Sequence, residues 1–192
     1  GNNLIVMAWA SRKVSTRALL RNWVIVYAGN FVGSIVTALL LFLSKQYLNG
    51  SGSVGLTALN IAKGKVELDF IQALALGILC NMLVCLAVWM TFSARSTIDK
   101  IATIIFPITA FVAAGFEHSI ANMYFIPVAL FIKDFGDPQL WEMIGKNAAD
   151  YSTITWGSFL INNLLPVTVG NIIGGTVFVA AIYWAIFLRK AK

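Results

Sequence analysis

Four long stretches of mostly apolar residues dominate the chain, and they cover residues 23–43, 70–92, 101–132 and 160–188. A helix needs about 20 such residues to cross the hydrocarbon core of a bilayer. A shorter apolar stretch, residues 3–10, is too short to cross alone, and no cationic leader precedes it, which argues against a signal peptide. The pattern predicts four membrane-spanning helices preceded by half of another.

The composition favours a membrane protein and excludes an ordinary soluble enzyme. Of the 192 residues, 59% are hydrophobic and 11% are charged, whereas about 25% of residues are charged in soluble domains. The mean hydropathy is +0.81. We therefore expect an all-α polytopic membrane protein in which residues 1–192 form a single transmembrane domain.

The charged residues predict how the chain is oriented in the membrane. If the predicted helices alternate in direction, most basic residues fall on one side of the bilayer and most acidic residues on the other. By the positive-inside rule the basic side is cytoplasmic, so we expect a cytoplasmic C-terminus. The net charge of +6 then reflects topology, and a nucleic-acid partner is not needed to explain it. The basic side carries Arg12, Lys13, Arg17, Arg21, Arg95, Lys100, Arg189, Lys190 and Lys192.

The third long stretch is interrupted near residues 113–119, which include Glu117 and the only histidine, His118. An ionisable residue at mid-membrane costs about 2.5 to 3.5 kcal/mol on insertion scales and is kept where it faces a cavity or a partner. We expect the helix to break here and to line a cavity. His118 could then donate a hydrogen bond to an anion, or attract it when protonated. Glu117 would either orient and tune the imidazole or anchor a neighbouring loop.

The motif Gly-Asn-x-x-Gly occurs twice inside predicted helices, at residues 29–33 and 170–174. Glycines four residues apart lie on one helix face and allow close helix contact, and the asparagine offers a donor and an acceptor. Packing alone could explain both copies. Because one copy leads outward and the other inward, the repeat predicts two halves of inverted topology, as in transporters with a mid-membrane site at broken helices. The unequal halves lead us to expect about one and a half helices before Gly1.

The sequence offers little for metal binding or covalent chemistry. Cys80 and Cys85 are five residues apart on one predicted helix and would point about 140° apart, so we expect no disulfide between them. Without a Cys-x-x-Cys spacing, and with one histidine, we expect no metal and no cofactor. No nucleophile accompanies His118, which argues against an enzyme. A pore for neutral solutes stays open, although the paired Asn-Pro-Ala boxes of water and glycerol pores are missing.

Three well-separated segments, residues 77–87, 115–123 and 166–175, resemble signature segments of the formate/nitrite transporter family. The similarity extends over essentially the whole chain. Within the family, residues 123–127 and 132–135 are most similar to the FocA-type formate channels.

The resemblance implies an aquaporin-like protomer with six helices, of which the second and fifth are broken. It implies a homopentamer in the bacterial inner membrane, with a pore in each subunit for formate and, less selectively, other small monovalent anions. Passage would be passive or linked to a proton, and a nitrite or hydrosulfide channel is the alternative. The first helix, the front half of the second and a Leu-Phe-Thr loop would precede Gly1.

The same resemblance assigns roles to individual residues. His118 is the central pore histidine with Glu117 beside it, and Asn171 is the polar group opposite. The remaining positions are Asn81 as a polar contact on the fourth helix, Phe111 and Val84 as hydrophobic constrictions, and Lys65 near the periplasmic side.

Overall fold

The computed structural model describes residues 1–189, so the predicted cytoplasmic residues Lys190 and Lys192, and the C-terminus itself, lie outside the described residues. Within residues 1–189 all regular structure is helical and there is no strand, which confirms the all-α fold class. The helices are α1 (Ile5–Ala10), α2 (Thr16–Leu43), α3 (Ser53–Val66), α4 (Phe70–Thr91), α5 (Thr97–Ala113), α6 (Ser119–Phe135), α7 (Pro138–Ile144) and the C-terminal helix (Ser158–Leu188).

The C-terminal helix changes its hydrogen-bonding pattern along its length. Its central part, α8 (Leu165–Gly175), is α-helical, and π-helical segments precede and follow it at Ser158–Leu164, Thr176–Ala181 and Trp184–Leu188. π-helical turns are rare and often occur at functional sites.

Three helices of the described chain are long and apolar enough to cross a membrane: Thr16–Leu43, Phe70–Thr91 and Ser158–Leu188. They overlap three of the four predicted stretches, although α2 begins at Thr16 rather than at residue 23. The remaining stretch, residues 101–132, is covered by two helices of 17 residues each, α5 and α6, which begin before it and end after it. The sequence pattern did not predict α3, because lysine, asparagine and glycine interrupt its apolar residues.

The chain divides into two compact units. Unit 1 comprises Gly1–Val26, Ile71–His118 and the chain from Val167 onward. Its apolar core joins Leu4 and Met7 from the N-terminal helical segment to Val179 of the C-terminal helix. The predicted half-helix at residues 3–10 corresponds here to a 3-10 turn at Asn2–Leu4 followed by α1.

Unit 2 comprises Tyr27–Phe70 and Ser119–Pro166. Its core is larger and is centred on α3 and α6, whose Leu59, Ile126 and Leu130 are almost completely buried. Close packing, rather than the hydrophobic effect, is the force that holds such helices together in lipid. The core of unit 2 is therefore formed mainly by the short helix α3 and by α6, the helix that follows the break.

Two cationic residues, Arg12 and Lys45, have left-handed backbone conformations, with φ of 59° and 57°. Such a conformation costs a non-glycine residue on the order of 1–3 kcal/mol. Lys45 forms an ion pair with Asp137 at 3.0 Å. The hydrogen bond from Lys45 lowers the pKa of the Asp137 carboxyl, and the same bond raises the pKa of Lys45.

Candidate functional site

The break between α5 and α6 is produced by a glycine. Gly115 has φ of +68°, a conformation in which a Cβ would be strained. The Phe116 N–H donates to the Phe111 carbonyl at 3.0 Å and the Gly115 N–H to the Val112 carbonyl at 3.1 Å, which is the Schellman pattern of a helix end. The chain leaves the helix after Ala113 and resumes one at Ser119, so His118 is the last residue of the non-helical segment.

The aromatic ring of Phe111 lies beside His118 at the end of this segment. The two ring centroids are 5.9 Å apart and the ring planes differ by 25°, so the rings are roughly stacked. His118 is half-buried, whereas Glu117 before it is buried. Histidine is the side chain that can gain or lose a proton near neutral pH.

The Asn171 side chain holds the broken segment to the neighbouring helix. Its Nδ2 donates to the Glu117 carbonyl at 2.9 Å and to the Gly77 carbonyl of α4 at 2.8 Å. Both carbonyls belong to unit 1, and both accept a bond that a side chain without an N–H could not supply. Asn171 therefore fixes the backbone one residue before His118.

Two further amides converge on the backbone of Asn171. Its carbonyl oxygen accepts from Asn81 Nδ2 at 2.6 Å and from Asn3 Nδ2 at 3.0 Å. Gly175 leaves the space for this arrangement, since a Cβ there would lie 2.7 Å from both amide nitrogens. Burying polar groups is costly unless they are hydrogen-bonded, and in this network three side-chain amides donate to the backbone carbonyls of Asn171, Gly77 and Glu117.

Close helix contact brings these groups within reach. A Cβ at Gly77 would lie 2.9 Å from the Val167 carbonyl oxygen, and a Cβ at Gly174 would overlap the Ile78 carbonyl oxygen. The expectation of close contact thus holds for the glycines of residues 170–174. Within the described chain an added Cβ at Gly29 or Gly33 would meet no atom within 4 Å, so close contact at these two glycines stays a prediction.

Six of the seven site residues expected from the sequence belong to unit 1, and five of these six are linked by hydrogen bonds, a ring contact or chain neighbourhood. Val84 is half-buried on α4 and its side chain has no hydrogen-bonding capacity. Lys65 belongs to unit 2, where its ammonium lies 5.8 Å from the centroid of the Phe125 ring. The five are Phe111, His118, Glu117, Asn171 and Asn81.

A pair of buried amides in unit 2 was missed by the sequence reasoning. Asn122 Nδ2 donates to Asn163 Oδ1 at 2.7 Å, and Asn163 Nδ2 donates to the Lys65 carbonyl at 2.8 Å. Both asparagines have an exposed fraction of 0%. The available signal was the presence of an asparagine in an otherwise apolar helix, which marks polar contacts at membrane depth.

The described residues contain no group of three or more His, Cys, Asp or Glu side chains that could hold a metal ion. Cys80 and Cys85 are buried free thiols. The chemistry of the site rests on one imidazole and on amide hydrogen bonds.

Comparison with known proteins gives this arrangement a family. The sequence profile of the formate/nitrite transporter family matches residues 1–185. The chain is 47% identical over 187 residues to the formate channel FocA of Escherichia coli K12, covering 97% of this chain and 66% of FocA. It is 40% identical to the formate channel FocA of Haemophilus influenzae, covering 92% of this chain and 62% of that protein.

The fold matches solved structures as well. A structure described as a pentameric formate channel with formate bound has a TM-score of 0.87 and 48% identity, and the match covers 92% of this chain and 69% of that one. A channel of the same family has a TM-score of 0.77 and 28% identity, with 96% of this chain covered. This chain is a membrane protein that belongs to the formate/nitrite transporter family.

Proposed function

We propose that this chain forms most of a channel that conducts formate across the bacterial inner membrane, passively or linked to a proton. It would act as a homopentamer with a pore in each subunit and a cytoplasmic C-terminus. The chain spans 66% of the length of the formate channel FocA of Escherichia coli. Support for the substrate and the assembly comes from that relative and from the structure described as a pentameric formate channel with formate bound.

The observation that carries the proposal is the position of His118 at the end of the break between α5 and α6. There a neutral imidazole can donate a hydrogen bond to a carboxylate, and a protonated one can attract it and transfer a proton. The bonds from Asn171 to the carbonyls of Glu117 and Gly77 keep the backbone before His118 in place, so less of this segment has to be ordered when the anion arrives.

Apolar and cationic residues would complete the path. Phe111, stacked beside His118, and Val84 of α4 are the proposed constrictions, where apolar side chains exclude hydrated ions. Lys65 is the proposed cation at the periplasmic side, where its charge would raise the local concentration of anions. Its ammonium is held near the Phe125 ring by a cation–π contact.

Flux measurements in liposomes containing the full-length protein test the proposal. Radiolabelled formate and nitrite are measured side by side between about pH 5 and 8, the range in which histidine titrates. We expect formate flux well above that of empty liposomes, with a pH dependence. His118→Asn should keep a hydrogen bond but lose the pH dependence, and His118→Phe should change both rate and anion selectivity. Lys146→Gln, at an exposed position, is the matched control and should behave as the wild type.

Each contrary result would correct a specific part of the proposal. Faster flux of nitrite or hydrosulfide than of formate would make this a channel for those anions, and flux of water or glycerol alone would make it a neutral-solute pore. A His118→Asn protein with the wild-type pH profile would give the histidine a structural role. A stable monomer in native mass spectrometry would remove the pentamer.

A further inference from the structure

The loop between α1 and α2, residues 11–16, is held at both ends by tryptophans. We name it the basic loop. Trp184 Nε1 donates to Ser11 Oγ at 3.1 Å, and Trp9 Nε1 donates to Thr16 Oγ1 at 2.9 Å. Tryptophan rings favour the headgroup level of a membrane, with the indole N–H directed to polar groups. The basic loop is therefore expected at the depth of lipid headgroups.

Arg12 closes α1 in a conformation that favours glycine. With φ of 59°, its N–H donates to the Trp9 carbonyl, and the Lys13 N–H donates to the Ala8 carbonyl, both at 2.9 Å. This is a Schellman helix end, in which glycine usually takes the left-handed position. Gly115 takes that position at the end of α5. A strained arginine at such a position points to a task for its side chain.

Lys45, the other left-handed cation, shows what such a task can be. Its ammonium pairs with Asp137 at 3.0 Å, so its charge has a partner within unit 2. By contrast, the Arg12 guanidinium makes no hydrogen bond or ion pair with any residue that the structure describes. The sequence contains no acidic residue before Glu67. The Arg12 guanidinium is exposed and is therefore available to an anion from outside this chain.

Three further cations follow Arg12 in the chain. Lys13 lies next to it, and Arg17 and Arg21 follow one turn apart on α2, where they share a helix face. All of these side chains are exposed. Basic segments that directly adjoin a membrane helix attract anionic lipids of the cytoplasmic leaflet.

We propose that the basic loop binds the phosphate of an anionic phospholipid headgroup, with Arg12 as its principal contact. The planar guanidinium suits a phosphate because it can donate two parallel hydrogen bonds. The tryptophans fix the loop at the depth where that phosphate lies. The proposal stands on this surface alone and does not depend on which anion the channel conducts.

Thermal unfolding of the full-length protein in neutral detergent micelles tests it, because a ligand that binds only the folded state raises the apparent Tm. Phosphatidylglycerol, phosphatidylcholine and inorganic phosphate are added separately. We expect only phosphatidylglycerol to raise the Tm of the wild type, and Arg12→Gly and Arg12→Asn to lose most of that rise. Asparagine is the matched variant because it tolerates the left-handed conformation without a charge. Lys146→Gln should keep the full rise.

The Tm without lipid separates lipid binding from a structural role. Arg12→Gly should then unfold at the same or a higher temperature than the wild type, since glycine relieves the backbone strain. A lower Tm for this variant would show that Arg12 stabilises the helix end and would overturn the proposal. So would an unchanged phosphatidylglycerol response in both variants. An equal rise with inorganic phosphate would replace the lipid site with a site for small anions.

Discussion

The two copies of the Gly-Asn-x-x-Gly motif have the same residue pattern, but they differ in how closely other atoms approach their glycines. In the second copy, residues 170–174, a Cβ at Gly170 would overlap the Leu74 carbonyl oxygen and one at Gly174 would overlap the Ile78 carbonyl oxygen. In the first copy, residues 29–33, a Cβ at either glycine would meet no atom within 4 Å in the described chain. The repeat therefore marks similar helices and leaves their packing undetermined.

The asparagines of the two copies differ in the same way. Asn171 is buried, and its Nδ2 donates hydrogen bonds to the carbonyls of Gly77 and Glu117. Asn30 is half-buried and lines an open groove of about 280 Å³ on α2. In the apolar 18-residue segment of α2, only 6% of the segment is buried within this structure. One copy is thus part of the site, whereas the other lies on a helix face that this chain leaves largely uncovered.

The largest expected difference between the copies is in stability. Gly174→Ala should lower the free energy of unfolding by about 3 kcal/mol, because the methyl group must displace a backbone carbonyl. Gly33→Ala should be neutral or should stabilise α2 by up to about 1 kcal/mol, because alanine is the better helix former. Thermal unfolding in detergent checks both.

Equal losses in the two alanine variants would contradict this reading of the first copy. They would show that Gly33 packs tightly against another chain in the assembled protein, where the alanine methyl group would have no room. Oligomer size, measured alongside unfolding, distinguishes that case from misfolding.

Hydrophobic patterning was sufficient to predict the long helices, and the break was predictable because Gly115, Glu117 and His118 interrupt an apolar stretch. What patterning could not give was the partner of each polar group. Asn171 and Asn30 lie in the same Gly-Asn-x-x-Gly pattern, and the tertiary contact of α8 with α4 is what distinguishes them. The Asn122–Asn163 bond joins residues 41 positions apart, so no local pattern indicates it.

The second expected difference concerns the two asparagines. Asn171→Leu removes the donor to Gly77 and Glu117 and leaves two buried carbonyls without that bond, which should cost about 2 to 3 kcal/mol. Asn30→Leu, on the open groove, should cost less. Unfolding in detergent gives the stabilities, and formate flux gives the effect on the segment before His118. A greater loss for Asn30→Leu would reverse the assignment of the site to the second copy.

Asn163 shows whether unit 2 uses a buried amide as unit 1 uses Asn171. Asn163→Asp keeps an acceptor for Asn122 but places a carboxylate against the Lys65 carbonyl, which should cost about 1 to 2 kcal/mol near neutral pH. The deficit should shrink at lower pH, because a protonated aspartate can again donate to Lys65. Asn163→Ala has no group that titrates and serves as the control. A pH-independent deficit in Asn163→Asp would indicate lost packing rather than the lost donor.

The smallest expected effect on stability concerns the ion pair between Lys45 and Asp137. Lys45 lies just after α2, the helix that carries the first copy of the motif. Hydrogen bonding to Lys45 lowers the pKa of Asp137, so the pair stabilises the fold above the usual pKa of a carboxyl and loses this as pH falls through the lowered value. The pKa of Lys45 is raised, so its contribution is complete below its usual value of 10.5 and is lost only as pH rises through the raised one.

Asp137→Asn should therefore lower the Tm slightly and equally across neutral pH, and the difference from the wild type should vanish in acid and shrink in high salt. A difference that persisted in acid would instead trace to the Asp137 bond with the Gln139 N–H, which caps α7.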